Sequence, residues 1–187
     1  MNTKRLLLPL LTTALTVAVA ASAVAASDQP LRRSFPATTR PTLDSKPRRV
    51  NPVVVRRLRR TVLHWRAVMG VGRGGFLAVP LHTPRALRYW RSQLRRTTRL
   101  AANPPHKGGW LCIHRFEASW QDGGDPYWGG LQMDRSFMRS YAPRVLLLRG
   151  WADRWSPLEQ MWVAERAHRS GRGYWPWPNT ARSCGLL

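Results

Sequence analysis

Acidic residues are scarce in this sequence. Its 187 residues include 9 Asp plus Glu against 31 Lys plus Arg, so the formal net charge is +22 at pH 7. An average cytosolic enzyme does not carry so large an imbalance. The hydrophobic fraction of 43%, with ten Trp, is nevertheless too high for a chain that is disordered throughout. The composition therefore predicts a packed core in a chain long enough for one domain with an appendage.

Cysteine is also rare, since only Cys112 and Cys184 occur. Two cysteines without nearby paired histidines do not make a zinc ligand set, so we expect no metal site and no cofactor. In an oxidising compartment the two thiols would form one disulfide. A bridge across so long a loop stabilises a fold by about 4 kcal/mol through loop-closure entropy.

A long apolar run stands near the N-terminus. Lys4 and Arg5 precede it, it covers residues 6–25, and it ends in Ala23-Val24-Ala25, which offers an A-x-A cleavage site. This pattern is typical of a secretory signal peptide, so we expect residues 1–25 to be removed and the protein to be secreted. An uncleaved membrane anchor is the alternative, because about 20 apolar residues can span a bilayer. Cleavage would leave no stable membrane span.

Charge and tryptophan are distributed unevenly over the rest of the chain. Residues 26–104 contain 18 basic and 2 acidic residues, whereas residues 105–187 contain 11 basic and 7 acidic residues and eight of the ten Trp. Residues 26–52 are rich in Pro, Ser, Thr and Arg, which predicts a disordered linker. We therefore expect a basic helical arm at residues 53–104, followed by a Trp-rich domain at residues 105–187.

The arm has the pattern of two basic amphipathic helices. In residues 53–69, apolar side chains recur at steps of three and four with arginines between them. Thr83 and Pro84 begin the second helix as N-cap and first helical residue, and it runs to about Ala102. The pair could pack loosely on the domain or bind nucleic acid. It could also bind the anionic groups of a cell envelope, such as teichoic acids, acidic lipid headgroups or peptidoglycan carboxylates. Export argues against nucleic acid.

Residues 110–120 are predicted to form a helix. Spacings of three, four and three would place four of them on one face: Trp110, Ile113, Glu117 and Trp120. An apolar environment favours the protonated form of a carboxyl group, which can then deliver its proton to a leaving oxygen. Glu117 is therefore a candidate catalytic acid. Pairing with Arg115, or exposure to solvent, is the structural alternative.

Residues 127–133 are predicted to form a short extended segment. Gly129 and Gly130 would let another group approach the backbone closely. Aromatic rings beside exposed glycine backbone and an amide, here that of Gln132, form a surface suited to a sugar ring.

Helix caps place two further helices. Asp134 is predicted to be the N-cap of a helix that reaches Tyr141. Residues 156–159 form a capping box with Pro157 at the first helical position, and Gly171 ends the helix that follows. With the arm and a short hairpin, these elements predict a mainly α (α+β) fold.

Four blocks of sequence resemble those of a known family. They are WLCIHRFEASW at residues 110–120, YWGGLQMD at 127–134, SPLEQMWVAERA at 156–167 and YWPWP at 174–178 before a Cys. In this order they resemble the resuscitation-promoting-factor or transglycosylase-like domain of secreted actinobacterial cell-wall proteins. The resemblance covers about residues 106–186. It implies a small lysozyme-like domain that acts on peptidoglycan glycan strands in a secreted, cell-wall-associated protein.

The resemblance also implies roles for individual residues. Glu117 matches the catalytic acid of the family. The substrate-binding residues would be Trp120, Tyr127, Trp128, Gly129, Gly130 and Gln132. Family members often have a Cys immediately before the Glu, where this sequence has Phe116, so we interpret Cys112 and Cys184 as a shifted disulfide.

The number of carboxylates favours one mechanism. Two-carboxylate glycosidases need a second Asp or Glu across the scissile bond. Asp122 and Asp125 lie in a turn-rich loop, and Asp134 is a helix cap. We therefore expect Glu117 to act alone on the MurNAc-GlcNAc β-1,4 bond, as in a lytic transglycosylase. A hydrolytic muramidase and a non-catalytic peptidoglycan-binding protein are the alternatives.

Three other ionisable residues are interpreted as structural: His114, His168 and Glu165. No Ser or Cys nucleophile is spaced to form a triad with either histidine.

Overall fold

The structure is a computed structural model that describes residues 49–72 and 74–187. The predicted signal peptide and residues 26–48 of the predicted linker lie outside these ranges. The described residues contain seven α-helices: α1 Pro52–Val68, α2 Pro84–Ala101, α3 Lys107–Phe116, α4 Arg135–Tyr141, α5 Arg144–Leu147, α6 Pro157–Ala167 and α7 Pro178–Ser183. Two short strands, β1 Tyr127–Trp128 and β2 Met133–Asp134, pair as an antiparallel hairpin. The prediction of a mainly α (α+β) fold with a short hairpin and a helical arm is confirmed.

Local capping determines where several of these helices begin. The Thr83 hydroxyl accepts a hydrogen bond from Ala86 N at 3.1 Å, and Asp134 Oδ1 accepts one from Phe137 N at 2.7 Å. Both bonds satisfy backbone donors that have no partner within the helix. The capping box at the start of α6 is also present. The predicted starts of α2, α4 and α6 are therefore confirmed.

Helices α1 and α2 form a pair with a small core of its own. Its buried residues are Val55, Val62, Ala86 and Trp90. The pattern of apolar residues that predicted two amphipathic helices thus corresponds to the interface between them. Within the ranges that the structure describes, no helix has both the length and the apolar character needed to cross a bilayer.

This helix pair also packs against the rest of the chain. The Trp162 indole donates a hydrogen bond to the carbonyl of Ala101, the last residue of α2, at 2.8 Å. Arg166 and Arg169 donate to carbonyls at the C-terminal end of α1, at 3.1 and 2.6 Å. Cations are favoured there because the helix dipole is negative at this end. The contact between arm and domain is therefore closer than loose packing.

Helix α6 lies at the centre of the main core. Eight of its eleven residues are buried. Two of the eight are carboxylates, Glu159 and Glu165, and a buried carboxylate needs hydrogen-bond donors around it. For each of the two, hydrogen-bond donors come from segments earlier in the chain.

Glu159 connects α6 to the arm and to the loop before α6. It accepts hydrogen bonds from His64 Nε2 at 2.7 Å, from Arg149 at 2.6 and 3.1 Å, and from the backbone N–H of Ser156 at 2.7 Å. Burial raises the pKa of Glu159, but these donors outweigh it and hold the pKa at about 2. Glu159 is therefore ionised at neutral pH.

Glu165 connects α6 to the start of α3 and has no exposed surface. Its Oε1 accepts from the backbone N–H of His106 at 2.7 Å and from the Trp110 indole at 2.9 Å. The His106 ring lies 3.1 Å from its other oxygen. The structural interpretation of Glu165 is confirmed.

The predicted disulfide is also present. Cys112 in α3 is bonded to Cys184, the residue that follows α7. The bond therefore holds α7 beside α3.

Candidate active site

Glu117 is not on the helix face predicted for it. Helix α3 begins at Lys107 and ends at Phe116, so Glu117 is the first residue beyond the helix, with φ −90° and ψ −94°. Trp110 and Ile113 are fully buried, whereas Glu117 is half-buried. The predicted four-residue face is therefore wrong beyond Ile113. The chain leaves the helix here, so that Trp120 folds back onto α3 instead of continuing it.

Glu117 lies in an open cleft of about 210 Å³ between the hairpin and α7, which we call the Glu117 cleft. Its polar lining residues are Glu117, Tyr127, Gln132, Asn179 and Thr180, and its apolar ones are Pro176, Trp177 and Pro178. Sites that enclose small molecules usually have volumes of about 300–1,000 Å³. A smaller, open cleft can hold one part of a longer polymeric ligand.

Thr180 contacts the Glu117 carboxylate directly. Its hydroxyl donates a hydrogen bond to Glu117 Oε1 at 2.9 Å. Among the described residues, Oε2 has no hydrogen-bond partner and Glu117 forms no salt bridge, so Arg115 does not neutralise it. One carboxylate oxygen is therefore held in place while the other is available for a ligand.

The hairpin contributes Tyr127 and Gln132 to the cleft. Tyr127 is about half exposed, at 48%. Gln132 has φ +46°, in the left-handed region that residues other than glycine rarely adopt. Its amide nitrogen donates to Asp122 Oδ2 at 2.7 Å and to the Gly129 carbonyl at 2.9 Å. These bonds hold the side chain and leave its carbonyl oxygen to accept a hydrogen bond from a ligand.

The two glycines of the hairpin turn are needed for close packing. A Cβ on Gly129, whose φ is +74°, would lie 2.5 Å from Gln160 Oε1. A Cβ on Gly130 would lie 2.6 Å from His114 Nδ1 and 2.7 Å from Trp120 Cε3. The predicted close approach to the backbone is confirmed. The groups that approach are side chains of this protein.

Gln160 of α6 holds the hairpin turn in place. Its buried amide accepts from Gly130 N at 2.9 Å and donates to the carbonyls of Trp120 and Ala152, each at 2.8 Å. One side chain thereby connects α6, the hairpin and the loop after α3. Sequence reasoning missed this residue. The available signal was its place directly before the apolar run of residues 161–164.

The two predicted substrate-binding tryptophans are not among the residues that line the cleft. Trp120 stacks on His114 with ring centroids 3.9 Å apart. Trp128 is only 6% exposed, and the Arg135 guanidinium lies 4.9 Å from its ring. Of the six predicted substrate-binding residues, the cleft lining therefore includes Tyr127 and Gln132. The other four are not among the lining residues, so their predicted contact with substrate is wrong for this cleft: Trp120, Trp128, Gly129 and Gly130.

The neighbouring carboxylates have other partners. Asp122 accepts from Gln132, and Asp125 forms an exposed ion pair at 3.3 Å. Asp134 caps α4, and the hydrogen bond from the Phe137 backbone holds the pKa of Asp134 below its ordinary value. None of the three is among the lining residues, so Glu117 is the one carboxylate among the described residues that line the cleft.

Comparisons with protein-family models, curated proteins and solved structures find no match to this chain. Across the described residues, no three His, Cys, Asp or Glu side chains cluster in a way that could hold a metal ion.

Sequence reasoning also missed the wall formed by α7. It assigned no role to Asn179 or Thr180. The disulfide could have revealed them. Cys184 lies about one helical turn after Thr180, and Cys112 lies shortly before Glu117, so pairing the cysteines brings Thr180 near Glu117.

Proposed function

We propose that this protein is a secreted muralytic enzyme of the resuscitation-promoting-factor or transglycosylase-like family. It would cleave the MurNAc-GlcNAc β-1,4 bond of peptidoglycan glycan strands. The observation that carries the proposal is a single carboxyl group, Glu117, in an open cleft with Tyr127 and Gln132 on its wall. These are the residues to which the sequence resemblance gives the roles of acid and glycan contacts.

Glu117 acts as the general acid in this proposal. Thr180 binds Oε1, so the proton is carried on Oε2, which faces the cleft without a protein partner among the described residues. A protonated carboxyl group within hydrogen-bond reach of the glycosidic oxygen can transfer its proton as the bond breaks. Thr180 is then a positioning residue that determines which oxygen reacts.

The absence of a second carboxylate from the described cleft lining favours an intramolecular nucleophile. A hydrolase of the two-carboxylate type would need that second group to activate water or to attack the sugar. In the proposed reaction the bond from the muramyl anomeric carbon to the bridging oxygen breaks, and that oxygen receives the proton of Glu117. The muramyl C6 hydroxyl attacks the same anomeric carbon and gives its proton to the Glu117 carboxylate. A 1,6-anhydro end results, and no water is consumed.

The remaining groups of the cleft suit a sugar. The exposed ring of Tyr127 offers a flat apolar face, and the Gln132 carbonyl and the Asn179 amide offer hydrogen bonds to hydroxyls. Trp177 is 5% exposed, and its indole donates to the carbonyl of Leu131 at 2.6 Å. It therefore connects the cleft floor to the hairpin.

The test is release of soluble muropeptides from purified peptidoglycan sacculi. Glu117→Gln keeps the size of the side chain and removes the acid, so we expect release to fall by about 10²-fold or more. Asp125→Asn is the matched control, because it makes the same change at an exposed carboxylate outside the cleft, and it should retain activity. Equal release by the wild type and Glu117→Gln would exclude Glu117 as the acid.

Mass spectrometry of the products separates the mechanisms. Anhydro ends are lighter by one water than hydrolysed ends, so hydrolysed ends would identify a muramidase. No release by the wild type, together with binding to sacculi, would support the non-catalytic binding alternative.

A further inference from the structure

Helix α2 carries six exposed arginines, Arg85, Arg88, Arg91, Arg95, Arg96 and Arg99. Successive helical residues are rotated by about 100°, so these six fall within an arc of about 140°. The buried residues of the helix lie on the opposite side: Ala86, Trp90, Thr97 and Ala101. We call the six-residue arc the arginine face.

Acidic residues do not neutralise the arginine face. The sequence has no Asp or Glu between Asp44 and Glu117. None of the salt bridges among the described residues involves an arginine of α2. Before Glu117 the whole chain has only Asp28 and Asp44, and two carboxylates cannot neutralise six guanidinium groups. The face therefore presents an unbalanced row of positive charge.

We infer that the arginine face binds a linear phosphodiester polyanion of the cell wall. At a rise of about 1.5 Å per residue, the six arginines extend over about 21 Å along the helix axis. Guanidinium groups bind phosphate oxygens through two parallel N–H donors, so a row of them is complementary to a chain of phosphodiesters. Nucleic acid has the same chemistry, and the choice of a wall polymer rests on the proposed function.

The packing of α2 argues against a membrane surface as the partner. A helix that lies in a lipid interface inserts an apolar face. The apolar side of α2 is already used, since Trp90 is 3% exposed and packs in the core with α1. A specific protein interface would need aromatic or aliphatic anchors. The arginine face consists of charged side chains.

The arginine face is fixed relative to the core of the domain. The Trp162 indole of α6 binds the carbonyl of Ala101 at the end of α2, and Gln160 of the same helix holds the hairpin of the cleft. A polymer bound on α2 would therefore hold the Glu117 cleft in one orientation at the wall. The arm then acts as a rigid anchor.

The test uses the full chain carrying Glu117→Gln, so that binding is measured without cleavage. Its partners are wall fragments that carry phosphodiester polymers and the same fragments after hydrofluoric acid has removed those polymers. We expect cosedimentation with the first and its loss with the second. Six phosphate contacts predict that affinity falls by about 10³-fold between about 50 and 200 mM salt.

A matched pair of triple variants tests the face itself. Arg88→Gln/Arg95→Gln/Arg99→Gln removes three charges from the arginine face, and we expect the loss of affinity over the same salt range to fall to about 40-fold. The control removes three exposed arginines elsewhere: Arg139→Gln/Arg144→Gln/Arg172→Gln. It should retain the wild-type salt dependence.

Three results would overturn the inference. One is an equal loss of affinity for the wall fragments in the two triple variants, which would show that binding depends on net charge and not on the arginine face. Another is undiminished binding to walls that lack the phosphodiester polymers. The third is tighter binding to a short DNA duplex, or to vesicles of equal phosphatidylglycerol and phosphatidylcholine, than to intact walls. These experiments measure binding and not release of muropeptides, so a failure of the proposed cleavage reaction does not decide their outcome.

Discussion

The hydroxyl of Thr180 donates a hydrogen bond to Glu117 Oε1 across 2.9 Å, although 63 positions separate the two residues. The Cys112–Cys184 disulfide joins the same two parts of the chain. One covalent bond therefore holds in place the helix that positions the candidate acid.

Replacing Thr180 should separate its positioning role from its packing role. Thr180→Val keeps the shape and removes the donor, and a hydrogen bond to a charged group contributes about 1.5–3 kcal/mol, so muropeptide release should fall by about 10-fold or more. Thr180→Ser keeps the hydroxyl and should recover most of the activity. Wild-type rates in Thr180→Val would show that Glu117 does not depend on this bond.

Reducing the disulfide should destabilise the domain by about 4 kcal/mol, since the bond closes a loop with a sequence separation of 72. Urea unfolding with and without a thiol reductant measures the difference. The chain has only two cysteines, so Cys112→Ser/Cys184→Ser is the control and should not respond to the reductant. An identical unfolding midpoint for the oxidised and reduced wild type would contradict the prediction.

Stability should decrease in acid because of Glu159. Its pKa is about 2 in the folded protein against an ordinary 4.5, so its contribution is complete above pH 4.5 and is lost as the pH falls toward 2. A difference of this size corresponds to about 3 kcal/mol. The free energy of unfolding, measured in urea across this range, should decrease accordingly.

The matching variant is Glu159→Gln, which removes the titrating group but leaves Arg149 and His64 without their carboxylate. It should be less stable near neutral pH and should lose less stability in acid than the wild type. If the two proteins lose equal stability between about pH 5 and 2.5, another group is responsible.

Adding a methyl group at Gly130 should disturb the hairpin. The new Cβ would lie 2.6 Å from the His114 ring, so Gly130→Ala should destabilise the fold by about 1–3 kcal/mol. Gly108→Ala is the matched control, because its Cβ would meet nothing within 4 Å and the residue lies inside α3. That variant should be more stable by up to about 1 kcal/mol. Thermal unfolding of both variants measures the two effects, and equal unfolding temperatures for Gly130→Ala and the wild type would contradict the prediction.

Removing the arm should destabilise the domain. A chain that begins at residue 105 loses the carbonyl that binds the Trp162 indole and the histidine that binds Glu159. It also exposes core contacts made by Val68 and Ala101. Hydrogen exchange should show weaker protection of α6 in this fragment than in residues 49–187. Equal protection would indicate that the domain folds independently of the arm.

Features with a local cause could be predicted from the sequence. Thr83, Asp134 and Ser156 each bind a backbone N–H three residues ahead, so nearby residues alone determine where these helices begin. The disulfide required only that two cysteines be present.

Features that depend on distant partners could not be predicted in this way. The periodicity around Trp110 predicted that the helix continues to Trp120, but Trp120 stacks on His114, and the chain leaves the helix at Glu117. The group that approaches Gly130 comes from α3, and the donor to Glu117 comes from α7. Spacing within one segment contains no information about such contacts.

The position of α6 along the chain affects when the protein can fold. Synthesis proceeds from the N-terminus, and Glu159, Trp162 and Glu165 supply the buried partners of segments made much earlier. Until the last third of the chain has been made, the surfaces of α1, α2 and Trp110 that pack against α6 in the folded protein therefore have no partner and remain exposed. Nascent chains in this interval are the ones that most need protection from aggregation.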